Sequence, residues 1–116
     1  MSGWTLYHNP RCSKSRTVLK ALQDRGITPQ IIEYLKYPPT YETIITLIEN
    51  AKGDAKQFIR IKDPAFSAYT HLKLNDANSV AKFLSTNPKL LERPVVTHDS
   101  KTLIARPTER LQELFS

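Results

Sequence analysis

The 116-residue chain has one cysteine, three glycines, one methionine and one tryptophan, and no apolar run near the ~18 residues a membrane-spanning helix needs. Each shortage excludes something. With Cys12 alone, neither an intramolecular disulfide nor a cysteine-ligated metal cluster can form, and a lone thiol suits a reducing cytoplasm. No basic head precedes an apolar stretch at Met1-Ser2-Gly3-Trp4, which speaks against a Sec-type leader. Aromatic residues are not interleaved with basic ones, as a stacking platform for single-stranded nucleic acid requires. The expectation is a cytoplasmic protein with no membrane and no nucleic-acid partner. What remains is ordinary: 40% hydrophobic and 24% charged residues, the balance of a globular chain able to bury a core.

The net charge of +6 is spread along the chain, with one exception. Between Arg11 and Arg25 stand Arg11, Lys14, Arg16, Lys20 and Arg25 against the single acid Asp24, and this segment contains Cys12. His71 and His98 lack partners at metal-ligand spacing, so no metal site is expected.

Periodicity orders the elements. Thr5-Leu6-Tyr7-His8 reads as a strand, interrupted by Asn9-Pro10. From Ser13 the period becomes helical, with Ser15, Val18, Leu19 and Leu22 on one face and Gly26 as the stop. Residues 30–35 read as a second strand, parallel to the first because a helix joins them. Thr40 is a candidate N-cap for a helix carrying Tyr41, Ile44, Ile45 and Ile48. Short helical pieces are expected at 56–60 and 65–69, and a third full helix carries Ala77, Val80, Ala81 and Leu84 up to Asn87-Pro88. Residues 93–97 and 102–105 read as a hairpin turning at 98–101. Pro107 opens a last helix that buries Leu111, Leu114 and Phe115. The predicted architecture is α/β: a mixed four-stranded sheet flanked by helices on the thioredoxin-like plan. It forms one domain over 1–116, with a helical insertion at about 40–88.

Cys12 falls between a strand end and a helix that begins one residue later. A sulfur there meets unpaired backbone N–H groups and the positive end of the helix dipole, which favour thiolate over thiol. Arg11, Lys14 and Arg16 add to that bias where their charges turn inward, His8 offers a hydrogen bond or a charge, and the Ser15 hydroxyl can reach the sulfur. The same N–H groups cradle oxyanions. Holding an anion beside a thiolate demands more positive charge, for which Arg60, Arg93 and Arg106 are candidates; a hairpin brings the last two together.

The run from Tyr7 to Arg16, Tyr-His-Asn-Pro-Arg-Cys-Ser-Lys-Ser-Arg, closely resembles the active-site loop of the glutaredoxin-coupled arsenate reductase (ArsC) family. The resemblance continues through Ile32-Glu33-Tyr34-Leu35, Pro38-Pro39-Thr40, Phe58-Ile59-Arg60, Asn87-Pro88, Glu92-Arg93-Pro94-Val95-Val96 and Ala105-Arg106-Pro107. It implies a thioredoxin-like fold and catalysis by Cys12, tuned by His8 and Ser15. Arg60, Arg93 and Arg106 would bind the oxyanion, and Asn9, Pro10, Arg16 and Pro94 would support the loop, with a cis peptide at Arg93-Pro94. The implied reaction is arsenate reduction to arsenite through a Cys12–arsenic adduct, an arsenic-detoxification activity. Glutathione would be co-substrate and glutaredoxin reductant, with no bound cofactor and no metal.

Other functions share these residues. Cys12-Ser13-Lys14-Ser15 is a Cys-x-x-Ser arrangement, compatible with a glutathione-linked thiol oxidoreductase without arsenic. A regulator binding RNA polymerase through this fold would favour a second cysteine where Ser15 stands. A phosphatase-like enzyme would need an arginine where Val18 stands.

Overall fold

The computed structural model describes residues 3–69 and 71–115. Its order is β1 (Trp4–His8), α1 (Ser13–Asp24), β2 (Gln30–Glu33), α2 (Tyr41–Glu49), 3-10 turns at Ala55–Phe58 and Pro64–Ala68, α3 (Ala77–Thr86), and a 3-10 turn at Pro88–Leu90. Strands β3 (Val95–His98) and β4 (Lys101–Ile104) follow, then a 3-10 helix at Thr108–Leu114. The strands form one sheet in the order β2-β1-β3-β4, with β1 parallel to β2 and antiparallel to β3, and β3 antiparallel to β4. This is the thioredoxin-like arrangement.

Alternation along the strands splits the core into two layers. Trp4 and Leu6 of β1, Val96 of β3 and Leu103 of β4 face Val18 and Leu22 of α1 and Leu111 and Leu114 of the last helix. Tyr7, Val95 and Ile104, from the same strands, face the opposite way onto α2, α3 and Phe58. Phe58 is fully buried, so Phe58→Ala is expected to cost about 3–5 kcal/mol, read as a lowered urea midpoint with an unchanged slope.

Local signals place most boundaries. The Thr40 hydroxyl accepts the Thr43 N–H at 3.2 Å and caps α2. Gly26, at φ 77°, ends α1 in a left-handed conformation that a Cβ disfavours. Three differences from the sequence expectation stand out. β2 stops at Glu33, because the Glu33 carbonyl accepts N–H groups from both Lys36 and Tyr37 and turns the chain there. The hairpin loop is Asp99-Ser100 alone, since His98 pairs with Lys101, and Asp99 takes φ 56°. The last helix winds as 3-10, and Pro107 caps it rather than entering its first turn.

Candidate active site

Strand register assembles the site. β1 and β2 pair with a fixed offset (His8 with Glu33), so Asn9, one step on, falls beside Tyr34. β1 and β3 pair Tyr7 with Val95, which carries Asn9 to Arg93 two steps on. β3 and β4 pair Val95 with Ile104, and the Ala105 N–H bonds the Pro94 carbonyl at 3.0 Å, carrying Arg93 to Arg106. Tyr34, Asn9, Arg93 and Arg106 therefore form one row across the end of the sheet from which α1 departs. Arg60 arrives by another route. Its N–H donates to the Leu90 carbonyl at 2.8 Å, and the Glu92 N–H donates to the Phe58 carbonyl at 2.7 Å, tying 58–60 to 90–92.

Cys12 is the N-cap residue of α1 and half-buried, and its side chain makes no capping bond to the helix backbone. Burial pushes its thiol up. The Arg93 guanidinium facing the sulfur, the Ser15 and Lys14 backbone N–H groups and the Arg93 charge together outweigh that, so the thiol ionises below its ordinary value. Lys14 contributes here through its backbone, while its side chain and that of Arg11 are exposed. The helix terminus supplies part of what the sequence predicts from local cations, and an arginine eighty-one positions away supplies the rest.

His8 and Ser15 act one layer behind. His8 is buried, and its Nδ1 lies 2.6 Å from the Ser15 Oγ, which also accepts the Asn9 N–H at 3.1 Å. Burial lowers the His8 pKa, with Glu33 raising it and Arg16 lowering it further, so the net shift keeps the ring neutral at neutral pH. His8 therefore brings no charge to the sulfur and instead positions Ser15. The loop is braced from within. Arg11 N–H bonds Asn9 Oδ1 at 3.0 Å, Cys12 N–H bonds the Asn9 carbonyl at 3.0 Å, and Arg16 Nη1 donates to the Pro10 carbonyl at 2.9 Å. Arg16 is thus occupied with loop backbone. The Arg93-Pro94 peptide is cis, as the resemblance implies, and so is Arg106-Pro107.

The three candidate arginines sit differently. Arg93 faces the sulfur. Arg60 is bound to Asp63 at 3.1 Å, and Arg106 to Glu92 at 3.4 Å, with a further bond from Arg106 Nη1 to the Arg93 carbonyl at 3.2 Å. Two clefts adjoin. One, of about 610 Å³, is walled by Asn9, Tyr34, Leu35, Arg60, Tyr69 and Arg93, among others. The second, of about 440 Å³, runs between Arg60, Asp63, Glu92 and Arg106. Arg60 and Asp63 stand on the wall between them. Among the described residues no three His, Cys, Asp or Glu side chains gather as a metal site requires, and His98 stacks on Trp4 at 4.0 Å between ring centroids.

The model of the ArsC family matches residues 7–114. The chain belongs to that family. An uncharacterized protein of Escherichia coli K12, YfgD, is 35% identical over 114 residues, covering 94% of this chain and 93% of that protein. A protein of Neisseria meningitidis serogroup B named arsenate reductase is 33% identical over 115 residues, covering 95% and 96%. The solved structure of a putative arsenate reductase from Yersinia pestis superposes with a TM-score of 0.84 at 36% identity, covering 95% of this chain and 98% of that one.

In this ArsC-family chain one residue of the row escaped the sequence reading. Tyr34 is fully buried, and its hydroxyl faces Arg93, Cys12 and Asn9. Burial raises its pKa, so it stays protonated at neutral pH. Neither Tyr34 Oη nor Arg93 Nε, both buried, completes a hydrogen bond of good geometry. Leaving a buried polar atom so costs about 1–3 kcal/mol. The signal was available in the register: Tyr34 directly follows Glu33, the β2 residue that pairs with His8, just as Asn9 directly follows His8.

Proposed function

We propose that this ArsC-family protein reduces arsenate to arsenite through a covalent bond between Cys12 and arsenic, with glutathione as co-substrate and glutaredoxin as reductant. The observation that supports the reading most is the Cys12 sulfur at the N-terminus of α1 facing Arg93, a nucleophile and an anion-holding group in one place. Relatives named arsenate reductase support arsenate as the anion.

Arg93 offsets the repulsion between thiolate and arsenate. The thiolate attacks arsenic, a sulfur–arsenic bond forms, and an arsenic–oxygen bond breaks, the oxygen leaving as water once protonated. Arsenic remains pentavalent. A glutathione thiol displaces a second oxygen in the same way. A glutaredoxin thiolate then attacks the glutathione sulfur, making a disulfide and leaving the sulfur–arsenic electron pair on arsenic, now trivalent. Water cleaves the remaining Cys12–arsenic bond, releasing arsenite and the thiol. The sequence needs neither a metal nor a bound cofactor.

In a mixture of glutathione, glutaredoxin, glutathione reductase and NADPH, the protein should oxidise NADPH when arsenate is added and not when phosphate is. Absence of any arsenate-dependent oxidation would falsify the assignment. One observation favours a second reading. A cleft of about 610 Å³ with Leu35, Tyr69 and Leu90 on its walls is in the ~300–1,000 Å³ range of organic ligands, larger than a tetrahedral oxyanion requires. A glutathione-linked thiol oxidoreductase would use that volume. Turnover of a glutathione mixed disulfide without an arsenate signal selects it.

A further inference from the structure

Among the described residues, ion pairs join positions at most four apart in the chain, with one exception: Glu92 and Arg106 stand fourteen apart. Local spacing makes the others, whereas this one depends on the pairing of β3 with β4. Its geometry is loose. One carboxylate oxygen, Glu92 Oε1, accepts from Arg106 Nη1 at 3.4 Å and from the Arg93 backbone N–H at 3.3 Å, both longer than the ~2.9 Å common for such bonds. Asp63, the acid facing Arg60, is held differently. Its Oδ1 caps the turn at Pro64–Ala68 by accepting the Ala65 N–H at 2.9 Å, and its Oδ2 lies 3.1 Å from Arg60 Nη1. Local backbone fixes Asp63, while Glu92 is a longer side chain resting on two weak bonds. Both acids and both arginines line the cleft of about 440 Å³. The Arg106 side chain is 39% exposed, so a dissolved anion reaches it directly.

We infer that Glu92 sets the threshold for anion binding: its carboxylate is a resident counter-ion on Arg106, which an incoming oxyanion displaces. The inference rests on the reading of this site as an oxyanion site and adds to it a competitor carried by the chain itself. A singly charged carboxylate ligand offers Arg106 only what Glu92 already provides, so it gains nothing by exchange. A doubly charged tetrahedral oxyanion offers more charge and more acceptor atoms, and it wins the exchange. On displacement Glu92 turns into the open cleft and is hydrated. Arg106 keeps its 3.2 Å bond to the Arg93 carbonyl and stays in place. The arginine is thereby closed to abundant weak anions and open to a stronger one.

The test is a titration with arsenate, and separately with phosphate, followed at the Arg106 Nε–H resonance in wild type and Glu92→Gln. The amide keeps the shape of the side chain and removes its charge. A partly exposed ion pair is worth up to about a fivefold factor in an equilibrium, so the dissociation constant should fall about fivefold. The KM for arsenate in the glutaredoxin-coupled assay should fall by a similar factor with kcat unchanged, a split that a purely structural role would not produce. Asp24→Asn, which adds the same charge at the far end of α1, should leave both constants at their wild-type values. An equal dissociation constant in wild type and Glu92→Gln overturns the inference and leaves the oxyanion site standing. A higher one also overturns it, showing that Glu92 holds Arg106 in position for the anion. An equal gain in Asp24→Asn overturns it in favour of net charge. If neither anion moves the Arg106 resonance in wild type or in Glu92→Gln, the oxyanion reading falls and the inference with it.

Discussion

Cys12→Ser is expected to remove arsenate-dependent turnover, by about 10⁴-fold or more, while the protein still folds and melts cooperatively. The loss is total because serine at this position has no comparable anion to offer near neutral pH, and the chain has no second thiol to stand in. Folding survives because Cys12 is half-buried and lies outside both apolar layers. Serine is a better N-cap than cysteine, so α1 can gain from the exchange. The stability difference should depend on pH with a defined sign. The folded thiol ionises below its unfolded value, so the thiolate contributes stability in full above the ordinary thiol range of ~8.5. That contribution fades as pH falls through the lower folded value. Wild type should therefore gain on Cys12→Ser as pH rises, by thermal melts at several pH values. A difference that stays flat, or shrinks toward alkaline pH, would place the sulfur in the wrong electrostatic setting. Arsenate turnover surviving in Cys12→Ser would remove the thiolate mechanism.

The parts of this site that were legible in the sequence are local ones. Cys12 and the helix that begins at Ser13 follow from a period change within a few residues, whereas His8 and Ser15, each expected to reach the sulfur, pair with each other instead. The arginines were legible as residue types, and the nearness of Arg93 to Arg106 followed from the hairpin. Arg60 has Asp63 only three residues on, but nothing near Arg106 in the chain says that Glu92 occupies it, nor that Arg93 faces the sulfur. That outcome depends on register across three strands, and a one-residue slip in any pairing would send a different side chain to the row. Tyr34 shows the same limit more sharply. By composition it is one more apolar strand residue. Its hydroxyl acquires meaning once β2 lies parallel to β1 with His8 opposite Glu33. Arg11 and Lys14 are the converse case: both adjoin the sulfur in sequence, yet both side chains are exposed. The helical layout was largely legible because capping and apolar stripes are local, whereas the 3-10 winding of 108–114 was not.

Arg93→Met should produce the largest effect of any single arginine change, and two coupled readouts separate its roles. The first is the pH dependence of Cys12 alkylation. In wild type the rate should rise through a midpoint below ~8.5, because thiolate is the reacting form. Without the Arg93 guanidinium, burial is opposed by the Ser15 and Lys14 N–H groups alone, so the midpoint moves upward. The second is the oxyanion concentration that half-protects Cys12, which should rise about 100-fold when a charged donor is removed. Arg93→Lys should recover part of the first effect and little of the second. An ammonium restores charge near sulfur but not the planar set of donors, and it has no counterpart to the buried Nε beside Tyr34. Arg60→Met and Arg106→Met should leave the alkylation midpoint near that of wild type, since Asp63 and Glu92 already hold those charges. Their anion handling should fall by less than that of Arg93→Met. Had all three arginines contributed equally, the three variants would shift alkylation and protection alike. A midpoint that does not move in Arg93→Met would show that the helix terminus alone ionises the sulfur.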